Sequence, residues 1–149
     1  MKHIARYVLP LLVSLMMALT GLTGCKAPEK AETGPIIQPQ AIADYIFENG
    51  TLPPNFIRKQ EAEALGWDPR RNDLSDVAPG MSIGGDRFGN YEGALPKVKG
   101  RKYYEADANY TGGDRGAERI IYSNDGHVWY TADHYRTYTE LYPGKEGSR

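Results

Sequence analysis

The stretch AERIIYSNDGHVWYTAD, residues 117 to 133, decides the architecture. Two runs rich in Ile, Tyr, Val, Trp and Thr flank the triplet Asn124-Asp125-Gly126. β-Branched and aromatic side chains fit a pleated, half-buried surface, and a link of this kind between two such runs signals a hairpin. Working outward, MSIGGDRF (81–88), KYYEADA (102–108) and RTYTELY (136–142) also read as strands. The glycines of SIGGD are expected to permit a kink or bulge, since the motif lacks the lysine and spacing of a phosphate loop. The character upstream is helical. QAIADYIFENG (40–50) sets Ile42, Tyr45 and Ile46 at helical spacing before Gly50. LPPN (52–55) is a turn, FIRKQEAEALGW (56–67) a second short helix closed by Gly66, and NDLSDVAPG (72–80) a third helical turn. Helices first and an antiparallel sheet after them define the α+β class. The expectation is N-terminal helices packed on one face of a five-stranded antiparallel sheet.

The ends read differently. Lys2 and Arg6 precede an apolar run from Val8 to Leu19, too short for a comfortable membrane span and suited to an export signal. Leu22-Thr23-Gly24-Cys25 then looks like a lipoprotein cleavage box, so residues 1–24 are expected to be removed and Cys25 lipidated. Cys25 is the sole cysteine, which excludes an internal disulfide. Residues 25–39 read as a flexible tether rich in proline and charge, 40–142 as one domain, and 143–149 as a disordered tail. Two of the 18 basic residues lie in the signal and all 19 acidic ones after it, leaving −3 on the exported part. Global charge therefore does not announce a nucleic-acid binder, and any anion site must rest on a local cluster.

Strand alternation places Tyr103, Glu105 and Asp107 on one face and Ala106 and Ala108 on the other. Arg119 and Ile120 point opposite ways. Glu105 and Arg119 are thus expected side by side on a polar face over a core on the reverse, with His134 following a neighbouring strand. Each residue alone has a plain explanation. His134 would be a structural histidine, Lys59 an exposed helix residue, and Arg115 and Arg119 surface charges near Asp114 and Glu118.

From about Gln40 to Leu141 the chain resembles the barnase family of secreted bacterial, guanyl-preferring ribonucleases. The resemblance is carried by LPPNFIRKQEAEALGW, DLSDVAPGMSIGGDRFGNYEG, EADANYTGGDRGAERIIYSNDG and TADHYRTYT. It implies Glu105 as general base, His134 as general acid, and Lys59, Arg115 and Arg119 around the phosphate. It makes Phe88, Gly89, Asn90, Tyr91 and Glu92 the guanine-binding loop and puts Tyr135 beside the substrate. It implies cleavage of single-stranded RNA through a 2′,3′-cyclic phosphate, with no cofactor and no metal, by an exported, extracellular or periplasmic monomer. By analogy a barstar-like inhibitor is a partner, and the lipid on Cys25 would hold the enzyme at the envelope membrane.

The chemistry suits these residue types. RNA carries its own nucleophile, the 2′-hydroxyl, so catalysis needs a base for that proton and an acid for the departing 5′-oxygen. A carboxylate (about 4.3) and an imidazole (about 6.5) divide that labour. Arginine forks and a lysine can neutralise charge that develops on the phosphoryl oxygens. Glu92 can accept from guanine N1–H and N2–H₂, while loop N–H groups donate to O6. The chain departs from the family at Tyr91, where arginine is common, at Gly89, where serine is common, and at Arg58, where a Thr helix cap is expected. Tyr91, Gly89 and the acidic balance support an alternative, an envelope lipoprotein that binds RNA or a protein and does not cleave.

Overall fold

In the computed structural model, residues 34–71 and 74–144 are described. The expected signal peptide, lipidated Cys25, most of the tether and residues 145–149 of the tail lie outside them. The elements run α1 (Pro39–Asn49), β1 (Phe56–Ile57), α2 (Lys59–Ala64), α3 (Leu74–Val77), β2 (Ser82–Phe88), β3 (Tyr103–Asp107), β4 (Arg119–Ser123), β5 (Val128–Thr131) and β6 (Thr139–Tyr142). The α+β class holds.

The strand count is corrected. The sheet has six strands in the order β1-β2-β3-β4-β5-β6. The extra one, β1, is parallel to β2, pairing Phe56 with Ser82 and Ile57 with Ile83. Phe56 and Ile57 were expected to open the second helix. Both are good strand formers, and the helix begins only at Lys59. The remaining strands form an antiparallel meander, with register shifts between Gly84 and Asp86 and between Val128 and Trp129. The first is the bulge that SIGGD predicts; Gly85 there has φ +97°.

The helices do not act as one layer. Helix α1 starts with Pro39 at its first turn, where a missing N–H is harmless, and ends on Gly50 in the left-handed region, whose N–H returns to the Ile46 carbonyl. It buries Ile42, Ala43 and Ile46 against Ala106, Ala108, Ile120 and Val128, the core on the reverse of the polar face. Helices α2 and α3 build a separate cluster at the β1–β2 edge, with Ala62, Trp67, Leu74, Ala78, Ile83 and Tyr110. A third cluster, Leu95, Tyr103, Ile121 and Trp129, supports Phe88, Tyr135 and Tyr138. Ahead of α1, Ile36 exchanges hydrogen bonds with the Asn55 side chain, and Ile37 accepts from Asn109 N–H at 2.8 Å. The end of the expected tether is therefore fastened to the domain.

Candidate active site

Glu105 stands at the middle of β3. Its Oε1 accepts from Lys59 Nζ at 2.7 Å and its Oε2 from the Tyr135 hydroxyl at 2.7 Å. Its side chain is 12% exposed. Burial alone would push this carboxyl up. The Lys59 and Tyr135 hydrogen bonds and the charges of Lys59 and Arg115 outweigh it, so Glu105 lies below the usual carboxylate range. Burial and the bond to Glu105 drive the Tyr135 hydroxyl far above its ordinary value, so it remains a donor.

Lys59 is aimed by the start of α2. Its own N–H donates to Asp86 Oδ2 at 3.0 Å, 27 residues downstream on β2. Arg58, at the N-cap, has no side-chain acceptor to offer. The reciprocal half of a capping box is nevertheless present, because Glu61 Oε2 accepts from Arg58 N–H at 3.0 Å. Asp86 and Glu61 thus supply acceptors at the helix start where the expected Thr cap is missing.

The two arginines converge on a residue not assigned a role from sequence, Asp107. Arg115 grips it with two parallel bonds, Nε to Oδ2 at 2.7 Å and a terminal nitrogen to Oδ1 at 2.8 Å. Arg119 Nε lies 3.1 Å from Oδ1, an ion-pair distance without hydrogen-bond alignment. Its Nη1 donates to the Gly116 and Glu118 carbonyls at 3.1 and 2.7 Å. Asp107 is 1% exposed and Arg119 5%. Arg119 is directly opposite Asp107 in the register, while Glu105 faces Ile121, so the expected side-by-side pair is in fact diagonal. Trp67 packs under the Arg115 guanidinium, 5.8 Å from its ring centre. The signal for Asp107 was available: alternation put an acid on the face that carries the arginines.

His134 is exposed and sits in a loop held by Asp133. The Asp133 carboxylate accepts from Thr131 Oγ1, Thr137 Oγ1 and the N–H groups of Arg136 and Thr137. The Thr137 hydroxyl first, then these N–H groups, bring it down to about 2. Tyr135 N–H donates to Thr131 Oγ1 at 3.0 Å. His134 and Tyr135 both adopt positive φ, 57° and 72°, which non-glycine residues take up only when the surroundings enforce it. The imidazole lies 4.7 Å from the Tyr135 ring, centre to centre. Tyr135 thereby links His134 to Glu105.

The 88–92 loop joins the same cleft through Phe88, whose ring stacks on Tyr135 at 5.3 Å. Asn90, at φ 47°, turns its side chain inward: Nδ2 donates to the Leu95 carbonyl and Oδ1 accepts from Leu95 N–H. That side chain shapes the loop. Glu92 is exposed and Tyr91 is 92% exposed. A Cβ at Gly89 would overlap the Tyr91 ring, so the two departures in this loop belong together.

A carboxylate, an imidazole and three cations converge beside an aromatic loop on a small α+β domain, an arrangement suited to acid–base chemistry on an anion. Residues 39–142 match the model of the ribonuclease family, and the chain belongs to it. Ribonucleases of Bacillus intermedius and Bacillus pumilus are each 49% identical over 100 residues, 67% of this chain and 62% of theirs. The ribonuclease of Heyndrickxia coagulans is 48% identical over 100 residues, 67% of this chain and 92% of its own length. The crystal structure of ribonuclease Sa2 with guanosine-2′-cyclophosphate matches at a TM-score of 0.36 and 35% identity, over 40% of this chain and 64% of that one.

Proposed function

We propose that the chain is an endoribonuclease that cuts single-stranded RNA after guanosine, using residues 40–142 as the catalytic domain. Glu105 takes the proton from the 2′-hydroxyl, the 2′-oxygen attacks phosphorus, and the P–O5′ bond breaks as His134 protonates the leaving oxygen. Water then opens the 2′,3′-cyclic phosphate with the two roles reversed. Lys59, Arg115 and Arg119 offset charge growing on the phosphoryl oxygens. Glu92 and the loop N–H groups of Gly89, Asn90 and Tyr91 read the guanine edge, with Phe88 and Tyr135 as its walls. No step uses a metal.

The observation that carries this reading is the Glu105 carboxylate. It is half-buried, ionised below the usual range, and tied by Tyr135 to the ring that adjoins His134. Such a group begins the cycle as a base. The arginines, fixed by Asp107, meet the substrate already oriented, which is how preorganised charge lowers a barrier. Ahead of the domain, Leu22-Thr23-Gly24-Cys25 supports cleavage of a signal and lipidation of Cys25, which would keep the enzyme on the envelope; a barstar-like inhibitor remains part of the proposal by family analogy.

The test is to incubate the full chain with GpU and ApU in EDTA. Guanosine 2′,3′-cyclic phosphate from GpU, and little turnover of ApU, is expected. Substituting Glu105→Ala or His134→Ala should lower turnover by about 10²- to 10⁴-fold. Turnover indifferent to both substitutions contradicts the assignment. Tight RNA binding without any cleavage supports the alternative reading as a non-cleaving envelope lipoprotein.

A further inference from the structure

Tyr104 and Glu105 are neighbours on β3 and so point to opposite faces of the sheet. On the Tyr104 side, a groove of about 810 Å³ lies between the end of α1, the 50–56 turn and the sheet. None of the residues assigned above to base, acid, phosphate or guanine recognition lines it. Its volume falls among those of small-molecule sites, about 300–1,000 Å³. The floor is aromatic. Tyr104 and Tyr122, opposite each other in the β3–β4 register, stack at 5.4 Å, and Leu52 and Phe56 pack against the same core as Tyr122.

The polar groups of the groove divide by kind. The side chains that accept already have donors. Asp125 takes Arg101 Nε at 2.7 Å and the Ser123 hydroxyl, Asn124 Oδ1 takes Lys102 N–H at 2.6 Å, and Glu61 takes Arg58 N–H at 3.0 Å. The groups left without a hydrogen bond among the described residues can all donate: the Arg58 guanidinium and the hydroxyls of Tyr104 and Tyr122. Arg58 forms no ion pair among the described residues either. Its stem runs over the β2 bulge, where a Cβ at Gly85 would sit 3.4 Å from its Cγ and 3.5 Å from its Nε. Burial, above all, pushes the Tyr122 hydroxyl up to about 12, against the nearby charge of Arg58, so it stays protonated. Arg58 is also the departure that capping does not explain, since its side chain offers the helix N–H groups no acceptor.

Unpartnered donors beside an aromatic floor call for a ligand that brings both the acceptors and an apolar body. We propose that this groove is a binding site for an oxyanion carried on an apolar body. The phosphate or carboxylate is held by Arg58 and the two tyrosine hydroxyls, and the body rests on Tyr104, Tyr122, Phe56 and Leu52. A guanidinium fork suits either anion, because it can hold two oxygens at once. Two sources carry this chemistry: a mononucleotide, which the proposed reaction itself releases, and a fatty carboxylate derived from lipid. The site lies on the reverse of the sheet from Glu105 and does not rest on the ribonuclease reading.

The test titrates the full chain with guanosine 3′-monophosphate, with decanoate below its micelle concentration, and with inorganic phosphate, following the backbone NMR signals of Gly85, Tyr122 and Gly126. A saturable shift of these signals is expected with the nucleotide or with decanoate, at least about tenfold tighter than with inorganic phosphate because the body adds buried apolar area. Which of the two acts identifies the source. Arg58→Met should weaken that affinity about tenfold or more and Tyr122→Phe about fivefold, as expected for a charged and a neutral hydrogen bond, while kcat/KM for GpU stays within about twofold. Arg58→Lys, which keeps the charge, should recover part of the loss. No shift with either ligand overturns the site, as does equal binding of inorganic phosphate or an affinity unchanged in both Arg58→Met and Tyr122→Phe. If a variant does not fold, the wild-type titration decides alone. A chain that binds here and cleaves no GpU upholds the site and refutes the ribonuclease reading; one that cleaves GpU and shows no shift does the reverse.

Discussion

Replacing Asp107 with asparagine should harm the protein more than replacing any of the cations it holds. The side chain keeps its shape but loses its charge. Arg115 gives up two charge-assisted bonds of 2.7 and 2.8 Å, and Arg119 loses the carboxylate 3.1 Å from its Nε. Asp107 is 1% exposed and Arg119 5%, so water cannot take over for Arg119. Leaving one partner of a buried ion pair uncompensated costs about 3–5 kcal/mol. Arg115, 22% exposed at its side chain, recovers part of its hydration, which places the loss toward the lower end. Against a typical total of about 5–15 kcal/mol, that is a large fraction. Urea unfolding of Asp107→Asn, followed by fluorescence of Trp67 and Trp129, measures it. A double-mutant cycle with Arg119→Met should recover about half the loss or more, because the stranded charge is then gone. A loss under about 1 kcal/mol for Asp107→Asn, or no recovery in the cycle, refutes the argument that this buried carboxylate fixes both arginines.

Other consequences are simpler to state. Lys59→Ala and Tyr135→Phe each remove a hydrogen bond that holds Glu105 down, so the acid limb of kcat/KM should move to higher pH in both; an unmoved limb says these groups do not set the base. The depressed Glu105 also stabilises the fold at pH values above its unfolded value, and this contribution is lost as pH falls through its folded one, so Glu105→Gln should flatten the acid side of the stability curve. Gly84→Ala would set a Cβ 2.7 Å from Phe56 and 2.8 Å from Ala106, so it should destabilise by about 1–3 kcal/mol in the same urea assay. Asp133→Ala removes the acceptor that organises residues 131–137, and should lower kcat through a displaced His134 while leaving the thermal midpoint within a few degrees.

Much of this was legible in the residues. The Asn124-Asp125-Gly126 turn and the β-rich runs around it anticipate the β4–β5 hairpin, and period-two alternation anticipates the polar face of β3 with Ala106 and Ala108 behind it. The glycines of SIGGD anticipate the bulge. What was hidden depends on tertiary partners. Phe56-Ile57 precedes a helix-rich stretch, and only the exposed edge of β2 makes it a strand. The cap that Asp86 provides for α2 arrives from a remote strand, so no local pattern announces it. Register, too, is absent from a single strand's sequence: pairing Asp107 with Arg119 puts the acid under the arginines and leaves Glu105 to Lys59 and Tyr135. The positive φ of His134 and Tyr135 is likewise imposed by Thr131 and Asp133 acting across the loop.

The division of labour between Glu105 and His134 is tested most directly by the pH profile of kcat/KM for GpU, measured in EDTA on the full chain and on Glu105→Ala and His134→Ala. A bell-shaped curve is expected for the wild type, with the acid limb lost in Glu105→Ala and the basic limb lost in His134→Ala. A profile in which either substitution leaves its limb in place contradicts the assignment of base and acid.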